Sequence, residues 1–183
     1  MADDARVSRR RFFRIGIAGA VVLGAGGALL WLDHGYDVPP DVRAKLTTLS
    51  AKEYRIVEAI VARMMRPDAP DLPTPADVGA ALRVDALVAS LDEATLRDLK
   101  RLLQVVEHAL PLRAGHATRF TKLSGEAQDA VLEDMQTSSV KLLRGAFESL
   151  KSLAAMSYFR DPRTWRAIDY DGPLVARPAG GWW

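Results

Sequence analysis

The stretch SAKEYRIVEAIVARM, residues 50–64, decides the fold class of this chain. Ser50 followed three residues later by Glu53 is the pattern of a capping box, in which each side chain binds the other residue's backbone N–H at the start of a helix. Apolar side chains then recur at spacings of three and four residues, which place them on one helical face: Tyr54, Val57, Ile60, Val61 and Met64. The stretch therefore predicts an amphipathic α-helix.

Similar patterns continue along residues 49–160, which we predict to be one helical domain after a linker over residues 37–48. Four prolines between residues 67 and 75 end the first helix and form a stiff loop. Asp77, Asp92 and Ser124 are predicted to cap the second, third and fourth helices, and the fifth begins near Ser138. The third helix is predicted to end at Pro111 and Gly115. Because no segment alternates like a strand, we predict an all-α fold, a compact bundle of about five helices.

Charge and cysteine content exclude several classes of function. Of the 25 Lys and Arg residues five lie in residues 1–36, with three of the 23 acidic residues, which leaves 20 of each in residues 37–183. A body with balanced charge has no continuous basic surface for phosphate backbones, so we expect no nucleic-acid binding. The chain has no cysteine, which excludes disulfides and thiolate metal sites and allows folding in a reducing compartment.

Residues 1–36 have the composition of an export signal. A basic stretch precedes an uncharged run rich in glycine and alanine, residues 15–32, and this order is typical of signal peptides. The basic stretch resembles the twin-arginine motif, which directs folded cargo to the twin-arginine translocon. The residues that match the motif are Ser8, Arg9, Arg10, Phe12, Phe13 and Arg14.

The sequence leaves open whether this segment is removed after export. Eighteen apolar residues span about 27 Å as a helix, just enough for a thin bilayer, and Trp31 and Tyr36 would lie near the outer interface. No Ala-x-Ala pattern marks a convincing cleavage site. We therefore expect either a cleaved signal or a retained signal anchor, with the body on the periplasmic side of the cytoplasmic membrane.

Residues 161–183 differ in composition from the helical domain. Prolines and glycines exclude a long helix, yet three of the four tryptophans lie here, and Trp and Arg are favoured anchors of protein interfaces. Asp161 and Pro162 predict one helical turn that opens this segment. We predict an extended arm that contacts another subunit, although an arm folded back over the chain's own helices is the alternative. The predicted contact residues are Tyr158, Trp165, Tyr170, Pro173, Arg177, Trp182 and Trp183.

No constellation of residues predicts catalysis, cofactor binding or metal binding in this chain. His34, His108 and His116 have no carboxylate at ligand spacing, so each is interpreted as a surface or interface histidine. No glycine-rich loop follows a strand, which excludes a nucleotide-binding fingerprint. We therefore expect that the chain is not itself an enzyme.

Short motifs between residues 47 and 174 resemble the gluconate 2-dehydrogenase subunit 3 family. They include the helix start at Leu49 and Ser50, the helix end IVARMMRP at residues 60–67, and RFTKLS at residues 119–124, which is similar to a "Phe-x-x-Leu before a helix" step. FESLK at residues 147–151, YFRDPRTW at residues 158–165 and IDYDGP at residues 168–173 resemble the closing helix, turn and ending of the family. Arg63 stands where the family usually has an acidic residue, and Asp169 where it has glycine.

The resemblance implies a role as the small subunit of a flavin dehydrogenase complex. Its partner would be a large FAD-containing subunit of the glucose–methanol–choline type that oxidises a sugar, a sugar acid or another alcohol. Electrons would then pass to a c-type cytochrome or another membrane acceptor. The family implies no catalytic residue in the small subunit, whose signal would export both proteins. A stand-alone periplasmic helical chaperone or stress-sensing binding protein is the alternative that the residues alone leave open.

Overall fold

A computed structural model of the chain describes residues 35–172, and every regular element in that range is helical. Five helices form the body: α1 (Ala51–Met64), α2 (Ala80–Val88), α3 (Glu93–Gln104), α4 (Gly125–Thr137) and α5 (Lys141–Tyr158). The predicted all-α bundle of about five helices is therefore confirmed. The predicted signal helix lies outside the described residues, and among those described no helix has the length and apolar character needed to cross a membrane.

Three of the predicted helix caps are confirmed. Ser50 Oγ accepts from the backbone N–H of Glu53 at 3.3 Å, and Glu53 Oε2 accepts from the backbone N–H of Ser50 at 2.8 Å, which completes the capping box. Asp92 and Ser124 each accept from the backbone N–H three residues later, at the starts of α3 and α4. These bonds satisfy N–H groups that a helix leaves without an intrahelical partner.

The start of α2 differs from the prediction. Asp77 does not cap this helix, since its Oδ2 accepts from the N–H and the hydroxyl of Thr74 at 2.8 and 2.6 Å and closes the preceding turn. The helix begins three residues later, after Gly79 in the left-handed conformation (φ 61°). The prediction for Asp77 was wrong because Thr74 precedes it at capping distance and competes for its carboxylate.

The core lies where α1 and α5 meet their neighbours. α5 packs against α2 and α4, and α1 packs against α2, α3 and α5. The largest fully buried apolar side chains are Ile56, Ile60, Leu99, Leu102, Leu103, Phe120, Met135 and Leu143. Burial of each contributes about 1.5–3 kcal/mol, so the amphipathic faces identified in the sequence hold the bundle together.

A widened turn continues α3 as far as its predicted end at Pro111 and Gly115. A π-helical turn, Val105–Ala109, leads into a last α-helical turn, Leu110–Arg113, that contains Pro111. In a regular α-helix the Pro111 ring would crowd the carbonyl of Glu107, and the wider turn avoids this contact. The helix ends at Gly115 (φ 86°), as His116 N donates to Pro111 O at 2.9 Å. The π turn also directs the Glu107 side chain into the core, where it is fully buried.

Residues 35–48, which include the predicted linker, contribute several side chains to the packing of the helical body. Tyr36 and Val38 are 6% and 7% exposed, and Val38 and Leu46 pack with the core. A single helical turn, Pro40–Arg43, lies between them. The body therefore includes Tyr36, the last residue of the predicted signal segment.

Asp85 joins this N-terminal stretch to α2. Its buried carboxylate accepts from the backbone N–H groups of Thr47, Thr48 and Leu49 at 2.8, 3.0 and 2.7 Å, and from the Thr47 hydroxyl at 2.9 Å. Burial alone would raise the pKa of Asp85, but these hydrogen bonds outweigh it and hold the pKa below its usual value. The ionised carboxylate thus fixes the chain that leads into α1.

The Asp85→Asn variant tests this role. We expect it to lower the free energy of unfolding at pH 7 by about 1–3 kcal/mol, because an amide replaces one acceptor oxygen with a donor that faces N–H groups. Because the pKa of Asp85 is lowered in the folded protein, the ionised carboxylate stabilises the fold fully above its ordinary pKa of about 4. This stabilisation is lost as the pH falls further. Urea unfolding should therefore show a difference between variant and wild type that narrows from pH 5 to pH 3.

Asp41→Asn is the matched control, since the Asp41 side chain is 71% exposed. It should change the free energy of unfolding by less than about 0.5 kcal/mol. An equal effect of the two substitutions, or a difference for Asp85→Asn that does not depend on pH, would contradict the assigned role.

Candidate partner interface

The described part of the predicted arm, residues 161–172, begins with a capped turn. Asp161 Oδ1 accepts from Arg163 N at 3.1 Å, Pro162 is the first helical residue, and a 3-10 helix runs over Pro162–Ile168. The predicted helical turn at Asp161 and Pro162 is confirmed. Residues 161–172 are folded back against the body rather than extended, which for this part agrees with the alternative drawn from the sequence.

The Asp161 carboxylate ties this segment to α2. Arg163 Nε donates to Oδ1 at 2.9 Å, and Arg83 Nη2 on α2 donates to Oδ2 at 2.8 Å, while the Asp161 side chain is only 9% exposed. These hydrogen bonds, with Arg163 first, hold the pKa of Asp161 well below its usual range. The carboxylate is therefore charged at neutral pH and holds the segment in place.

Trp165 organises the rest of the segment. Its Nε1 donates to the carbonyl of Phe159 at 2.8 Å, and its ring meets that of Tyr170 edge to face, with centroids 5.0 Å apart. Gly172 (φ 111°) closes over the indole, and a Cβ there would lie 3.1 Å from Trp165 Cζ3. The end of the described chain thus wraps around one aromatic ring, in a backbone conformation that glycine favours.

Apolar side chains remain exposed on and beside this segment. Met156, Ile168 and Tyr170 are 42%, 51% and 44% exposed, and Trp165 is half-buried. Met156 lies on α5 one turn before Phe159, whose carbonyl binds the indole. We call these four residues, Met156, Trp165, Ile168 and Tyr170, the C-terminal apolar surface.

The predicted contact residues fall into three groups. Trp165 and Tyr170 lie together on the C-terminal apolar surface. Tyr158 is 2% exposed, its hydroxyl donates to Pro73 O at 2.7 Å, and it belongs to the core rather than to any surface that a partner could reach. The remaining predicted contacts and the export motif lie outside the described residues: Pro173, Arg177, Trp182, Trp183, Ser8, Arg9, Arg10, Phe12, Phe13 and Arg14.

Sequence reasoning missed Met156 and Ile168 on this surface. The inward face of α5 includes Leu143, Phe147, Leu150 and Leu153, and continuing that period places position 156 outside. An apolar residue at an outward position was therefore a readable signal for Met156. Ile168 had no such signal, since its exposure depends on how the 3-10 helix is held by Asp161.

A cleft of about 650 Å³ lies between the proline-rich loop and the C-terminal segment. Its lining pairs arginines with acceptors: Arg166 Nη2 lies 3.3 Å from Asp71 Oδ2, and Arg163 Nη2 donates to the carbonyl of Asp77 at 3.2 Å. Because its charges are matched, the cleft offers no uncompensated charge to attract an ionic substrate.

The histidines are not placed as metal ligands in the described range. His108 is half-buried beside Glu107, and burial, followed by the nearby Lys52, lowers its pKa and favours the neutral ring at pH 7. Between residues 35 and 172 no three His, Asp or Glu side chains are grouped so that they could hold a metal ion.

A comparison with protein families identifies the chain. The family described as "Gluconate 2-dehydrogenase subunit 3" matches residues 51–172, which are 122 of the 183 residues. The chain belongs to the gluconate 2-dehydrogenase subunit 3 family. No curated protein and no solved structure matches it. The family match runs from the first residue of α1 to Gly172, so it includes the folded-back C-terminal segment. As a member of this family the chain is a subunit of a dehydrogenase complex and associates with other subunits.

The first departure from the family pattern, Arg63, is compensated within this chain. Its guanidinium binds both carboxylate oxygens of Asp129 on α4, with Nε–Oδ1 at 2.7 Å. A Cβ at Gly125 would lie 2.8 Å from Arg63 Nη1, so the small residue leaves room for the guanidinium. The basic residue at the end of α1 thus links this helix to the start of α4.

The second departure, Asp169, stands at a position whose conformation suits glycine. Its backbone is left-handed (φ 50°, ψ 40°) and ends the 3-10 helix before Tyr170. Glycine adopts this conformation without steric cost, and Asp tolerates it better than most residues. The left-handed turn therefore explains why the family usually has glycine at this position.

Substitutions at Asp169 test this reading of the turn. Asp169→Gly should leave the free energy of unfolding unchanged or slightly higher, whereas Asp169→Ala should lower it by about 1 kcal/mol relative to the glycine variant, because a Cβ is strained at this φ. Thermal unfolding of the two variants measures the difference. Equal stability of the glycine and alanine variants would contradict the left-handed conformation.

Proposed function

We propose that this chain is the non-catalytic small subunit of a flavin-dependent dehydrogenase that oxidises an alcohol or a sugar. In this proposal it carries the twin-arginine signal that exports the complex, and it stabilises the large FAD-containing subunit. The observation that carries the proposal is the C-terminal apolar surface in a chain that belongs to a dehydrogenase subunit family.

The geometry of this surface supports binding to a large partner. The bonds from Asp161 to Arg83 and Arg163 hold the segment before any partner arrives, so less conformational entropy is lost on binding. Trp, Tyr and Met are enriched in protein interfaces, and the indole of Trp165 is fixed by its bond to Phe159. The surface is thus a preorganised apolar site for a protein partner.

The resemblance to the family identifies the proposed partner as an FAD subunit of the glucose–methanol–choline type, with a c-type cytochrome as a further member of the complex. FAD chemistry would then belong entirely to the partner.

The buried carboxylates of this chain support a non-catalytic role for it. Asp85, Glu107 and Asp161 are each held by several hydrogen bonds inside the fold, so they are placed as structural acceptors and not as an acid or base facing a cleft.

The proposed location is the periplasmic side of the cytoplasmic membrane. Residues 8–14 supply the motif for the translocon, and residues 15–32 are either removed or kept as an anchor. The body suits a pathway for folded cargo because it has no cysteine and needs no oxidising compartment to fold.

Replacement of the arginine pair tests the export role. The Arg9→Lys/Arg10→Lys double variant should leave both this chain and the FAD subunit in the cytoplasm, because the motif depends on guanidinium groups at these two positions. Fractionation followed by immunoblotting of both subunits measures the outcome. Arg11→Lys is the matched control, since it changes the variable position of the motif and should be exported normally. Normal periplasmic dehydrogenase activity in the double variant would refute the export role.

A charge on the C-terminal apolar surface tests the interface. Ile168→Asp should reduce co-purification of the FAD subunit at least about tenfold, because an unpaired carboxylate would be buried against the partner. The substitution should leave the thermal midpoint of the isolated chain nearly unchanged, since Ile168 is half exposed. Leu112→Asp is the control, because Leu112 is 70% exposed and lies outside this surface. Undiminished co-purification of the Ile168→Asp variant would rule out this surface.

A further inference from the structure

Tyr36, the last residue of the predicted signal segment, is held in a charged pocket of the body. Its hydroxyl donates to Glu107 Oε1 at 2.7 Å, and the side chain is only 6% exposed. Two cations flank the ring: Arg119 Cζ lies 4.1 Å and Lys52 Nζ lies 5.7 Å from its centroid. Both contacts have cation–π geometry. The last side chain of the predicted signal segment is thus bound at its hydroxyl and at its ring.

Glu107 needs the hydroxyl of Tyr36 as a hydrogen-bond donor. The carboxylate is fully buried, and it also accepts from Thr121 N at 3.1 Å and from Thr121 Oγ1 at 2.6 Å. Arg119 Nε lies 3.8 Å from Oε1. A buried carboxylate is stable only when its oxygens are hydrogen-bonded or paired, so removal of Tyr36 leaves this group short of a donor.

Gly35 is held by the same arginine. Its carbonyl accepts from Arg119 Nη2 at 2.8 Å, and its φ is +81°. A Cβ at this position would lie 3.1 Å from Arg119 Nη2, which leaves little space for any other residue. The Arg119 side chain therefore binds both Gly35 and Tyr36, the last two residues of the predicted signal segment.

The pocket forms only when distant parts of the chain have packed together. Lys52 lies on α1, Glu107 on the π turn that continues α3, and Arg119 and Thr121 on the stretch before α4. Tyr36 and Glu107 are 71 residues apart, and Gly35 and Arg119 are 84 apart. Because these residues are far apart in the sequence, an unfolded chain would not bring them together to form the pocket.

We propose that Tyr36 is a latch that fixes the exit of the N-terminal export segment to the folded body. Tyr36 can bind only after α1 and α3 have packed. The export segment is therefore attached to the body at a fixed position only once the body has folded. This inference rests on the proposed function in one respect: residues 8–14 must act as the export signal. It assigns to Tyr36, Glu107 and Arg119 a role in making export depend on folding.

Tyrosine substitutions in the full-length chain test the latch. Tyr36→Phe removes the bond to Glu107 and should lower the ratio of latched to released chain about tenfold, as expected for one hydrogen bond to a charged group. Tyr36→Ala also removes both ring contacts and should lower this ratio further. Tyr54→Phe is the matched control, because Tyr54 is equally buried and its hydroxyl bonds to Glu58 at 3.3 Å.

Spin labelling measures the release directly. Because the chain has no cysteine, Asp37→Cys gives a unique label on an exposed residue beside the latch, and Glu148→Cys gives a separate label on the exposed face of α5. We expect the label at position 37 to become mobile in the Tyr36 variants but not in Tyr54→Phe. The label at position 148 should keep its wild-type spectrum in all of them. An immobile label at position 37 in Tyr36→Ala, or equal changes at positions 37 and 148, would overturn the latch.

Export of the same variants, without labels, tests the dependence on folding. The exported fraction should fall in the order Tyr54→Phe, Tyr36→Phe, Tyr36→Ala, with Tyr54→Phe at the wild-type level. Full export of Tyr36→Ala, with a mobile label at position 37, would overturn the link between latch and export. Failure of the proposed export role is distinguishable, because the Arg9→Lys/Arg10→Lys variant would then be exported while its latch remained closed.

Discussion

A carboxylate that leaves water must be hydrogen-bonded within the protein, because an unpaired buried charge costs several kcal/mol. Asp85, Glu107 and Asp161 meet this requirement with donors from distant segments of the chain. Asp85 binds the stretch that enters α1, Glu107 binds Tyr36, and Asp161 binds the C-terminal segment to α2. The two ends of the described chain are therefore held by ionic hydrogen bonds, while apolar packing holds the helices between them.

The helices could be predicted because their signals are local. Capping residues such as Ser50, Asp92 and Ser124 act within three residues of themselves, and apolar periodicity identifies the inward face of each helix. Asp77 was wrongly predicted to cap α2, because its carboxylate accepts a hydrogen bond from Thr74 in the preceding turn instead. The same periodicity, followed along α5 from Leu150 to the end of the helix, could also have placed Tyr158 in the core.

The candidate site was less predictable because it depends on long-range pairing. The sequence indicated that Trp165 and Tyr170 lie in a segment suited to a partner, but it could not show that Asp161 and Arg83, which are 78 residues apart, fold that segment back. Nor could it show that the π turn before Pro111 directs Glu107 toward Tyr36, since a proline indicates a disturbed helix but not the direction of a side chain four residues earlier. Charged groups reveal their role only when their partners are known.

We propose that this member of the gluconate 2-dehydrogenase subunit 3 family binds a flavin subunit through its C-terminal apolar surface. The test is to purify the tagged full-length chain from the membranes of its own cells and to record the absorption spectrum and subunit composition of the product. We expect a yellow complex with flavin absorption bands and a second, larger polypeptide. A colourless chain that purifies alone or only with copies of itself would contradict it.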